Sequence, residues 1–192
     1  MAGRLPSSIG AYDNAAKFPA SVPTIAHYLR AHGYYTCLSG KRHFVAPDQL
    51  HGFEDRLTTE IYPADFDWTP RISYDNGADD AAKDQPDPGV SGVETVADAR
   101  AVARSLQLDY DESVAQRAIA QIFELRRKPQ QPFFLTVSFT QPHDPYVVSK
   151  PYWDRYSDEI INAPRTAAIA PREMEPHSRG LYYHYGLDRL NS

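Results

Sequence analysis

Only one cysteine, Cys37, occurs in 192 residues. A single thiol makes no internal disulfide, and it excludes a paired-cysteine metal site. Nothing approaches the run of about 20 apolar residues that a membrane helix needs. The N-terminus has no charged stretch leading into an apolar one, as a signal peptide would. Basic residues are not in excess: the net charge is −5, which leaves no electrostatic footprint for nucleic acid. No internal repeat occurs. These absences predict a cytoplasmic protein in a reducing setting, with neither nucleic acid nor membrane as a partner.

What is present suits a globular core. Hydrophobic residues make up 42% and aromatics 12%, ordinary values for a chain of one domain, or part of a larger one. The 16 prolines imply many turns. Val22, Ile25, Ala26 and Leu29 follow a helical period, with Pro23 in its first turn and Gly33 as its stop. His27 and His32 on that helix read as surface or packing residues. Tyr34–Leu38 reads as a buried strand, with Cys37 a small apolar residue within it. Gly77–Gly92 reads as a surface loop and Val93–Leu106 as a weak helix, so 77–107 is expected to be a variable insertion. Asp109 and Glu112 suggest a capping box opening a long helix, whose stripe is Val114, Ala118, Ile119, Ile122 and Phe123. Arg126, Arg127 and Lys128 then suit the helix C-terminus, where the dipole favours positive charge. Phe133–Phe139 is a continuous apolar run, as expected of a central strand covered on both faces. Tyr152–Tyr156 predicts a short helix, and Glu173–Leu187 a final one with Leu181 and Tyr185 inward. The alternation of helices and apolar strands predicts an α/β fold with a sheet flanked by helices.

Two short stretches carry chemistry. The first is Ser39-Gly40-Lys41-Arg42-His43-Phe44, directly after the first strand. If this loop is extended, Lys41 and His43 project to one side. An ammonium and an imidazole at one point suit an anion with several oxygens, such as sulfate or phosphate. By spacing alone the pattern reads as a solvated lysine and a surface histidine after a strand. The second is Thr140-Gln141-Pro142-His143-Asp144-Pro145-Tyr146, directly after the second strand. Ligands of open α/β sheets gather outside the carboxyl ends of strands, so Lys41, His43 and His143 share a placement that points to one site. His143 also reads as a loop residue ordered by its two prolines.

The run from Gly40 to His43, continued by Pro47-Asp48-Gln49-Leu50-His51-Gly52-Phe53-Glu54, Arg56-Leu57-Thr58-Thr59 and Ile61-Tyr62-Pro63-Ala64-Asp65-Phe66, resembles the sulfatase family of the alkaline-phosphatase superfamily. It is most similar to the choline-sulfatase branch. The resemblance implies part of a sulfatase-like mixed sheet over residues 1–192. It implies hydrolysis of a sulfate monoester, choline O-sulfate foremost. Lys41 and His43 would hold the sulfate, and His143 would act at the sulfate or its leaving oxygen. Trp68 would face the quaternary ammonium through its ring. Asn14 would lie near the sulfate, although it also reads as a turn residue satisfying its own backbone. Asn76 matches the family, but Asp75 stands where the family has histidine. That departure keeps a phosphonate or phosphodiester substrate open.

The family's complete enzymes use Ca²⁺ and a formylglycine made from a Cys-x-Pro-x-Arg motif. Neither that motif nor the metal-ligand stretches occur in this sequence. The resemblance therefore implies an internal fragment that is inactive alone, with a small-molecule sulfate ester as partner and homo-oligomerisation open for a full-length enzyme. The other reading is a non-catalytic anion-binding or partner-binding remnant.

Overall fold

The computed structural model describes residues 1–11, 16–61, 93–157, 159–162 and 164–191. The elements run α1 (Ile25–Ala31), β1 (Tyr35–Gly40), β2 (Asp55–Arg56), α2 (Val93–Ala97), β3 (Arg100–Val102), α3 (Leu106–Arg126), β4 (Phe133–Ser138), β5 (Val147–Ser149), α4 (Lys150–Trp153) and α5 (Pro176–His184), with short 3-10 turns between them. Among the described residues all strand pairs are parallel. The fold is α/β, with parallel strands flanked by helices, as the sequence predicts. The chain forms two compact units, one of residues 1–89 and 106–141 and one of residues 90–105 and 142–192.

The first unit is built on a sheet ordered β2-β1-β4. Paired residues of parallel strands share a face, so Leu38 of β1 and Phe134 of β4 look toward the same side as their neighbours Thr36 and Thr136. On that side Leu38 joins Ala26, Phe44 and Phe53 in the core, with Phe18 and Phe134 packed around them. On the other side lies α3. There the Ser39 hydroxyl donates to the Val114 carbonyl (2.9 Å), and the Gln121 amide donates to the Tyr35 hydroxyl (3.1 Å). Cys37 is fully buried in β1, the small apolar role expected of it.

Helix α1 begins at Ile25, because Pro23 precedes the cap residue Thr24 rather than entering the helix. The Thr24 N–H donates to Nδ1 of His27 (3.1 Å), so His27 closes the helix N-terminus. His32 uses its own Nδ1 on the Tyr28 carbonyl (2.7 Å).

Helix α3 differs from its expected form in two respects. It starts at Leu106, a turn before Asp109, which is thus an acidic first-turn residue and not a cap. Acidic residues there are favoured by the helix dipole, and they mimic a capping box in sequence. Its buried face is Gln107, Val114, Ala118 and Leu125. Ile119, Ile122 and Phe123 are exposed, Phe123 by 63%.

Strand β4 departs from expectation too. Among the described residues it is paired on one side only, and its Phe133 and Val137 are 45% and 39% exposed.

In the second unit, the expected helix over 93–106 stops at Ala97, and Arg100–Val102 instead pairs with Val147–Ser149 as β3 and β5. The helix near 152 is displaced to Lys150–Trp153, where Pro151 suits its first turn. The final helix is shorter than expected. It is capped by Glu175, whose side chain accepts the N–H groups of His177 and Ser178. Leu181 and Tyr185 are exposed, not inward.

Candidate functional site

Strand β1 delivers the chain to Gly40, and glycine is required there. Its φ is +113°, and a Cβ would run into the backbone carbonyl of Ser138. This close approach lets the Lys41 N–H donate to the Ser138 carbonyl (2.9 Å). The loop therefore leaves the sheet pinned to β4.

The loop is not extended beyond that point. His43 has φ 56° and Ala46 φ 116°, so the strict side-to-side alternation assumed for Lys41 and His43 does not hold. A left-handed residue with a Cβ costs about 1–2 kcal/mol, and something must offset it. A carboxylate does so. Oε2 of Glu60 accepts the N–H groups of Arg42 and His43, each at 3.0 Å, and Nη2 of Arg56 at 2.8 Å. The Thr58 hydroxyl accepts the Gly40 N–H (2.8 Å). Arg56 also donates through Nη1 to Oε1 of Gln49 (2.7 Å), and the Gln49 amide donates to the carbonyls of Phe44 and Ala46, both at 2.7 Å. The whole turn from Gly40 to Ala46 is thus tied to the segment 56–60.

Behind the loop, Phe44 and Phe18 flank the ring of His51, with centroids 4.4 and 4.5 Å away. His51 is fully buried, and its Nδ1 lies 3.3 Å from Oδ2 of Asp48. Burial lowers its pKa, Asp48 works in the opposite direction, and His27 adds to the lowering. Arg42 is half-buried and its pKa is lowered by desolvation. Among the described residues its Nε has no hydrogen-bond partner.

The continuation of β4 is anchored differently. The carboxylate of Asp111 on α3 accepts the N–H of Thr140 (2.6 Å) and of Gln141 (3.0 Å). His143 follows in the second unit. It is exposed, and its Nδ1 lies 2.7 Å from Oδ1 of Asp144.

Lys41 and His43 therefore share one fixed turn, with the side chains of Lys41, Arg42 and His43 all half-buried. Asn14, Trp68 and Asn76 lie outside the described residues, as does Asp75. Sequence reasoning missed Glu60 and Arg56. The only signal for them was an opposite-charge pair four residues apart, directly after the Lys-x-His loop.

Neither cofactor of the resembled enzymes fits these residues. Burial pushes the Cys37 thiol up to about 11, so it is neither an exposed precursor nor a ready nucleophile. Among the described residues, no three His, Cys, Asp or Glu side chains gather as a metal ion would need. No helix among them is long and apolar enough to cross a membrane.

A choline-sulfatase of Rhizobium meliloti (strain 1021) is 46% identical over 183 residues, which cover 93% of this chain and 34% of that protein. An uncharacterized sulfatase of Escherichia coli (strain K12), YidJ, is 23% identical over 190 residues, 91% of this chain and 36% of its own. An arylsulfatase of Clostridium perfringens (strain 13 / Type A) is 43% identical over 53 residues, 28% of this chain and 11% of that protein. The chain spans about a third of the length of the two relatives that match most of it. The family model described as Sulfatase matches residues 1–190, and the chain belongs to the sulfatase family.

Proposed function

We propose that the Gly40–His43 turn is the sulfate-receiving part of an enzyme that hydrolyses sulfate monoesters, with choline O-sulfate as the substrate. The observation that carries this reading is the fixed turn itself. Glu60 has already taken the amides of Arg42 and His43, so contact with an anion falls to the Lys41 and His43 side chains. Lys41 supplies a point charge and His43 a directed N–H, each to a non-bridging sulfate oxygen. His143 is assigned to the departing choline oxygen, which it would meet through Nε2, because Nδ1 faces Asp144. Trp68 takes the ammonium, Asn14 lies near the sulfate, and Asn76 is a further substrate-binding residue. The choline part of the reading comes from the Rhizobium meliloti relative.

In this reading residues 1–192 are part of one sulfatase catalytic domain with 77–107 as its variable segment. It acts in the cytoplasm on a small-molecule ester. The chain alone is catalytically inactive in this reading, because its one cysteine, Cys37, does not stand in a Cys-x-Pro-x-Arg motif. The second reading is a non-catalytic anion-binding or partner-binding remnant.

Calorimetric titration of the chain with choline O-sulfate tests the proposal. Saturable binding is expected, weakened by roughly tenfold to a hundredfold in Lys41→Ala through loss of a charge-assisted contact. Failure of every sulfate ester to bind would overturn it. Tighter binding of a phosphodiester would move the substrate to that class, as Asp75 allows.

A further inference from the structure

Residues 56–60 do more than follow the anion loop in sequence. Oε2 of Glu60 holds two consecutive backbone N–H groups and the Arg56 guanidinium, while Oε1 accepts the N–H of Ile61 (3.1 Å). The two side chains are only 6% and 9% exposed. Two successive N–H groups converging on one oxygen, with a left-handed residue at His43, is the geometry of a backbone nest that binds anions. Here a carboxylate of the chain itself occupies the nest, and Arg56 offsets its charge.

We propose that Glu60, paired with Arg56, is a positioning residue for sulfate. It fixes the backbone of Arg42 and His43, and so the directions in which Lys41 and His43 leave the turn. The proposal rests on the reading that this turn receives sulfate.

A purely electrostatic role would have the opposite consequence. A buried negative charge behind an anion site opposes binding, and Glu60→Gln would then tighten it by leaving Arg56 uncompensated. With positioning, Glu60→Gln loosens the turn. An amide has one accepting oxygen, and whichever way it sits, its NH₂ faces an N–H or a guanidinium.

The experiment uses the 192-residue chain and sodium sulfate at constant ionic strength. The three-bond HN–Hα coupling of His43 reports its φ, and a titration gives the sulfate affinity. In Glu60→Gln the coupling is expected to leave its left-handed value and sulfate to bind roughly tenfold more weakly or worse. The buried amides of Leu38 and Phe53 are expected to keep their shifts. An unchanged His43 coupling overturns the clamp, whatever sulfate does. A changed coupling with equal or tighter sulfate binding overturns the link to the anion. Failure of the unsubstituted chain to bind sulfate overturns the sulfate reading, while the coupling still decides the clamp. If Glu60→Gln loses the Leu38 and Phe53 shifts, Arg56→Lys is read in its place. It keeps a cation beside Glu60, and smaller changes in the same directions are expected. No change in either readout then overturns the proposal.

Discussion

Strands β1 and β4 lie side by side in continuous register from Tyr35↔Phe133 to Gly40↔Ser138, yet they live in different surroundings. Thr36, Cys37, Leu38 and Ser39 are fully buried, whereas Phe133 and Val137 keep much of their surface in water. The sequence ranks them the other way, since Phe133–Phe139 is the more apolar run. The difference lies in their neighbours. β1 has a strand on each side, the Ala26–Phe44–Phe53 cluster on one face and α3 on the other. β4 has β1 alone among the described residues. Composition says how much cover a strand suits, and only its neighbours decide how much it receives.

The sharpest way to break this comparison is truncation. Leu38→Ala is expected to cost about 2–5 kcal/mol, as for other fully buried leucines. Val137→Ala on the half-open strand is expected to cost less than about 1 kcal/mol. Urea unfolding of both variants checks this, and equal losses would erase the distinction. A smaller effect concerns the exit from β4. Asp111→Ala removes a carboxylate from two N–H groups and is expected to cost about 1–3 kcal/mol. Hydrogen exchange at Thr140 and Gln141 should rise while that of Leu38 stays slow.

The smallest effect concerns pH. His51 packs behind the β1 loop with its pKa lowered from 6.5, by burial first. The unfolded chain therefore binds the proton more readily, and stability contributed by neutral His51 is full above about 6.5. It is lost as pH falls toward and through the folded value. The urea midpoint should decline below that pH while the His51 ring stays neutral by NMR. Titration of the ring at its ordinary value would contradict this.

Much of the first unit was legible in sequence. Tyr34–Leu38 announced β1 because buried strands carry unbroken apolar runs. Less was legible where tertiary contacts decide. The close approach of Gly40 to the Ser138 carbonyl was not read from the sequence, because it depends on the neighbouring strand. The left-handed φ of His43 leaves no mark in a sequence, because Glu60 imposes it from outside the loop. The Ile119–Ile122–Phe123 stripe has the period of a buried face and is exposed. Arg100–Val102 looks helical among alanines, yet β5 recruits it as a strand.

The most direct test of the account follows the histidine ring resonances during a sulfate titration at constant ionic strength, in the unsubstituted chain and in Lys41→Ala. The account predicts a saturable shift of the His43 ring that is lost, or requires at least roughly tenfold more sulfate, once Lys41 is removed. A His43 ring that does not move, or moves equally in both chains, would contradict it.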